Sequence, residues 1–116
     1  MIVCAIDDLL FSVKISTAAK ALGLTVYFER SPGSVVSTVR EKRPSLVIFD
    51  LNSKRLQPMQ AIADIKSDPQ LQNIRTLGYV SHVDTSSIEA ARQAGVDQVL
   101  ARSAFTDRLA EILTSA

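Results

Sequence analysis

The chain of 116 residues has one cysteine, one histidine, no tryptophan, and only four prolines and four glycines. A lone thiol at Cys4 excludes an intrachain disulfide and any multi-cysteine zinc site. No internal repeat, low-complexity tract or linker interrupts the sequence. Charge of one sign is also missing: thirteen bases against twelve acids leave +1, too little to steer the protein onto nucleic acid or anionic lipid. Aromatic residues are 5% of the chain and are not interleaved with the bases, so stacking on single-stranded nucleic acid is not expected. The apolar run Ile2–Ile6 stops at Asp7-Asp8, too short for a signal peptide or a membrane span. These absences lead us to expect a cytoplasmic protein without a membrane or nucleic-acid partner.

What remains is the composition of an ordinary globule, 47% hydrophobic and 22% charged. A chain of this length removes roughly two-thirds of its unfolded surface on folding, enough for a core without disulfide or metal staples. One domain over residues 1–116 is expected, with no room for an attached output domain.

Short apolar runs at Ile2–Ile6, Thr25–Phe28, Leu46–Phe49, Leu77–Val80 and Val96–Ala101 have strand length. The first, third and fourth show little polar alternation, as strands covered on both faces require. Segments with helical spacing lie between them. Phe11, Ile15, Ala18 and Leu22 form one stripe that Gly23 can end. Val35, Val36 and Val39 form a second, closed by Arg43-Pro44. Met59, Ile62 and Ile65 follow Pro58, a natural first-turn residue, and the segment closes near Asp68-Pro69. Ser86 with Glu89 reads as a capping box ahead of Ile88, Ala91 and Ala94, with Gly95 at the end. Ser103 is expected to cap a last helix burying Phe105, Leu109, Ile112 and Leu113. A βα unit repeated five times predicts an α/β fold, a doubly wound five-stranded parallel sheet of flavodoxin-like order 2-1-3-4-5.

In such a sheet ligands gather at the carboxyl ends of the strands where strand order reverses, here between the first and third. Asp7-Asp8 ends the first strand and Asp50 the third. Acids at the ends of buried strands raise one another's pKa unless a cation intervenes, and a few carboxylates with waters suit Mg²⁺. A single aspartate would be explained by a helix cap or a turn. Three at a switch point favour a site. Ser81 ends the fourth strand and Arg102 the fifth, adding a hydroxyl and a fixed positive charge suited to a phosphoryl group.

With "CAIDD", "LVIFD", "GYVS" and "AARQAGVDQVLARSAF" at these places, the chain resembles the receiver domains of bacterial two-component response regulators over its whole length. The resemblance implies a phosphorelay signalling module rather than an enzyme. Asp50 would be the phosphoacceptor, Ser81 would contact the phosphoryl group and Arg102 would pair with it. Mg²⁺ would be held by Asp7, Asp8, Asp50 and the backbone carbonyl of Asn52. Partners implied are a sensor histidine kinase or phosphotransfer protein and a downstream protein target. The surface of the fourth helix, fifth strand and fifth helix would carry the signal and is open to homodimer formation.

The sequence departs from that family's pattern in five places, one of them a first helix about one residue shorter than usual. Arg102 stands where lysine is usual, and its planar fork is not equivalent to an ammonium at a close phosphate site. Ser103 replaces the following proline. "LNSKRLQPMQ" replaces the usual Met-Pro turn and later glycine, and Val99 stands in place of the aromatic switch residue. These departures define the alternative: a pseudo-receiver, binding a protein partner without phosphate. Cofactor enzymes of the same fold fit less well. "DDLLFS" after the first strand repels the phosphate a flavodoxin must bind, and His82 lacks the setting of a cobalamin module. His82 is read as a loop side chain, and Cys4 and Met59 as core residues. Lys54, Arg55, Arg40, Lys42 and Arg43 are read as solvated faces.

Overall fold

The computed structural model describes residues 1–81 and 84–116, so His82 lies outside the described residues. The elements run β1 (Ile2–Ala5), α1 (Leu9–Ala21), β2 (Val26–Phe28), α2 (Val35–Lys42), β3 (Leu46–Asp50), α3 (Pro58–Ser67), β4 (Arg75–Val80), α4 (Thr85–Ala94), β5 (Gln98–Ala101), α5 (Arg102–Asp107) and α6 (Leu109–Thr114). All strand pairs are parallel and the sheet order is β2-β1-β3-β4-β5. This is the flavodoxin-like doubly wound sheet that the alternation of runs predicts.

The continuous apolar strands divide their side chains between two cores. Ile2, Cys4, Leu46, Ile48, Leu77 and Tyr79 meet α1, α5 and α6 on one face. Val3, Ala5, Val47, Phe49 and Val80 meet α2, α3 and α4 on the other. The period-two alternation is present, but both phases are apolar because both faces are covered. Cys4 is fully buried and its thiol is pushed up by that burial, a core residue as expected. Tyr79 stacks on Phe105 at 5.2 Å and tilts against Phe11 at 4.9 Å. No helix among the described residues is long and apolar enough to cross a membrane.

Local detail departs from the sequence reading at several helix ends. The buried stripe of α1 runs through Phe11, Ile15 and Ala19, whereas Leu22 lies past the helix end and is 41% exposed. Each of the apolar residues Phe11 and Ile15 contributes about 2 kcal/mol by leaving water, against about 1 kcal/mol for the cap at Asp8. Face burial therefore sets where α1 sits. For α4 the cap is Asp84, whose carboxylate accepts from the Ser87 amide (3.1 Å) and hydroxyl (2.7 Å), in place of the Ser86–Glu89 box. Ser103 caps nothing: β5 passes into α5 without a loop, Ala101 occupies the cap position, and Ser103 lies inside the helix. The last helix is also interrupted at Arg108, between α5 and α6. Thr106 Oγ1 donates to the Arg102 carbonyl at 2.9 Å one turn earlier, a back-bond that bends helices.

Candidate functional site

β1 and β3 are neighbours in register, Ile2 opposite Leu46 and Ala5 opposite Phe49. Asp7-Asp8 and Asp50 therefore leave adjacent strand ends on the same side of the sheet. Asp50 is the last residue of β3 and is half-buried. Burial pushes its carboxyl above the ordinary value, and the charges of Asp8 and Asp7 add to the push. The Asn52 amide, donating to Asp50 Oδ1 at 3.0 Å, and the charge of Arg102 act against it.

Asn52 also ties β3 to β4. Its side-chain oxygen accepts from the Ser81 amide at 2.8 Å and the Ser81 hydroxyl at 3.0 Å. One residue thus links the Asp50 carboxylate to Ser81, through a side chain that the sequence reading did not assign to the site. Leu51, between them, donates its amide to the Tyr79 carbonyl at 3.0 Å, which aligns the start of the loop with β4.

The acidic pair is not bare. Asp8 caps α1, accepting from the Phe11 amide at 3.1 Å, and that bond is the largest cause holding its carboxyl below the usual range. The helix-cap role that a single aspartate would suggest therefore applies to Asp8, alongside its place in the crevice. Arg102 Nη2 donates to Asp8 Oδ2 at 2.8 Å, and the guanidinium lies 4.3 Å from the centre of the Phe11 ring. Asp7 is gripped by Arg55, whose Nε donates to Oδ2 at 3.0 Å while Nη2 donates to Oδ1. Ser53 Oγ adds a third donor to Asp7 at 3.0 Å. The Arg55 hydrogen bond is the main cause holding the Asp7 carboxyl down. The expectation that Arg55 is a solvated face is thereby corrected: half of its side chain is exposed, but its fork is in the crevice. No periodicity could have found it, since the contact spans forty-eight residues.

The structure thus brings Asp7, Asp8, Asp50, Asn52, Ser81 and Arg102 to one end of the sheet, with Ser53 and Arg55 added. Asp7, Asp8 and Asp50 are hard oxygen donors on adjacent strand ends, and Asp50 is raised mainly by its burial, with the charges of Asp8 and Asp7 adding a smaller push. This donor chemistry fits Mg²⁺. Asp7 and Asp8 are engaged by arginine, and among the described residues no three acids, histidines or cysteines are gathered closely enough to hold an ion as they stand.

No family model matches the sequence, and no curated protein matches it. Solved structures match in fold. The phosphorylated cyanobacterial phytochrome response regulator RcpA is 22% identical with a TM-score of 0.82, over 98% of this chain and 88% of that one. A response regulator from Hahella chejuensis is 13% identical with a TM-score of 0.86, over 97% and 91%. The receiver domain of the sensor histidine kinase PA1611 from Pseudomonas aeruginosa, with magnesium coordinated in its active-site cleft, is 19% identical with a TM-score of 0.83, over 98% and 93%. The chain has the receiver-domain fold.

Proposed function

We propose that this chain is a phosphorelay receiver in which Asp50 accepts a phosphoryl group from the phosphohistidine of a sensor kinase or phosphotransfer protein. The carrying observation is the half-buried Asp50 carboxylate at the switch point, linked through Asn52 to Ser81. A carboxylate stripped of part of its water is the better nucleophile, and one at a strand end is open to a donor. An Asp50 oxygen attacks phosphorus, the P–N bond to the imidazole breaks, and its electron pair returns to the ring nitrogen, leaving an acyl phosphate on Asp50.

Asp7, Asp8, Asp50 and the Asn52 carbonyl would hold Mg²⁺, which supplies charge neutralisation for the phosphoryl oxygens. The Ser81 hydroxyl donates to a phosphoryl oxygen, exchanging its bond to Asn52 for the new one. Arg102 supplies the remaining positive charge while its ring contact with Phe11 limits its movement. The readout surface is the groove between α4 and β5, lined by Val80, Ser81, Ile88, Val99 and Arg102. Ser81 and Arg102 belong to both site and groove, so a change at the phosphoryl group reaches the surface without an aromatic at position 99.

Incubation with acetyl phosphate and Mg²⁺, followed by intact-mass measurement, tests this reading. One added phosphoryl group on the wild type and none on Asp50→Asn is the expected result; an unmodified wild type would exclude it. The pseudo-receiver is the second reading, favoured by the arginine pairs that balance Asp7 and Asp8 without a metal. It predicts a partner complex equally tight for wild type and Asp50→Asn.

A further inference from the structure

We propose that Arg55 is a built-in counter-cation that competes with a divalent ion for Asp7, so that metal entry requires its release. The inference rests on the receiver reading of the crevice and concerns a residue outside that reading. Both Asp7 oxygens carry donors: Nη2 of Arg55 on Oδ1, and Nε of Arg55 with Ser53 Oγ on Oδ2, each at 3.0 Å. The three donors fill three of the carboxylate's roughly four lone-pair sites, and the guanidinium charge repels a second cation from the one left on Oδ1. It cannot step aside by losing a proton, so a cation must displace the whole group.

The two arginines are not equally held. Arg102 is stacked 4.3 Å over Phe11 and pairs with a carboxylate already committed to capping α1. Arg55 has 52% of its side chain exposed, and water is available to receive it. Its Nη2 also donates to the Arg30 carbonyl, so the same fork bridges the loop after β3 to the loop after β2. Withdrawal of the fork therefore removes a cross-link between the two loops, and occupancy of the crevice becomes coupled to the edge of the sheet near β2. Exposed ion pairs are individually weak, so the competition is graded rather than absolute.

Calorimetric titration of Mg²⁺ into wild type, Arg55→Gln, Arg55→Lys and Asp7→Asn at fixed ionic strength tests the competition. Arg55→Gln is expected to bind Mg²⁺ about threefold to tenfold more tightly than wild type. Arg55→Lys is expected between them, because an ammonium lacks the fork, and Asp7→Asn is expected to bind most weakly. A thermal melt gives a second readout, with Mg²⁺ raising the midpoint of Arg55→Gln more than that of wild type. Equal affinity and equal melting shifts for wild type and Arg55→Gln, with binding lost in Asp7→Asn, would overturn the competition and leave the metal site standing. Absence of Mg²⁺ binding from every protein at millimolar concentration would overturn both. Tighter binding by Arg55→Gln without phosphoryl transfer to Asp50 would support the competition and remove the phosphorelay reading.

Discussion

Single residues act in this protein chiefly by what they leave room for. Gly78 lies in the interior of β4, opposite Phe49 of β3. A methyl group at that position would come within 2.6 Å of the Leu51 side chain, which is itself buried. Leu51 directly follows Asp50, so the glycine constrains the path of the chain leaving β3. Gly78→Ala is expected to destabilise the fold by about 1–3 kcal/mol, the usual cost of overpacking a filled core, and to shift the amide resonances of Asn52 and Ser53. Chemical denaturation with amide spectra checks both; an unchanged midpoint would show that Leu51 moves freely. The glycine was visible in the sequence, but its partner was not, because Leu51 reaches it from another strand end.

At the scale of elements, the far end of the sheet is closed by a clasp centred on Asp97. Its Oδ2 accepts from Lys66 Nζ at 2.8 Å, from the Thr76 amide at 2.8 Å and from the Thr76 hydroxyl at 3.1 Å. Lys66 Nζ also donates to the carbonyls of Gln72 (3.0 Å) and Ile74 (2.8 Å), joining α3 to the segment before β4. Burial acts to raise the Asp97 carboxyl, but the Lys66 and Thr76 bonds outweigh it and hold the carboxyl low. A carboxyl lowered on folding adds stability above its unfolded pKa of about 4, and that stability is lost as the pH falls through the lower folded value. Asp97→Asn is therefore expected to cost about 1 kcal/mol at neutral pH, allowing for solvent screening of this half-exposed group. The difference from wild type should close as the pH is taken below about 4, followed by urea denaturation. A gap that persists undiminished in acid would remove charge from the account. Element identity was legible because apolar spacing and turn residues are local; Pro58 begins α3 and Gly95, at φ 103°, ends α4. The Asp84 cap and the break at Arg108 were not, since two good capping residues stood two positions apart and the break falls beside a threonine hydroxyl bonding its own helix, a contact with no period to read.

For the molecule as a whole, stability lies in two cores and not in the exposed apolar residues of α1. Leu9, Leu10 and Val13 are 66%, 84% and 63% exposed, while Phe11 and Ile15 of the same helix are buried. Leu10→Ser is accordingly expected to change the unfolding free energy by less than about 0.5 kcal/mol, where Ile15→Ala should lose about 2–5 kcal/mol. Equal losses in denaturation would contradict the assignment of α1's buried face. The sequence by itself determined the α/β class, the strand order and the arrival of Asp7, Asp8, Asp50, Ser81 and Arg102 at one edge. Those features follow from hydrophobic periodicity, from the handedness of crossovers and from acids placed directly after apolar runs. Only the tertiary structure decided how the crevice is charged. The Asp7–Arg55 and Asp8–Arg102 pairs join residues forty-eight and ninety-four positions apart, and the reach of an arginine has no period to read. Three acids suggested a vacancy for a cation; the folded chain brings two guanidinium groups of its own to two of them, Asp7 and Asp8.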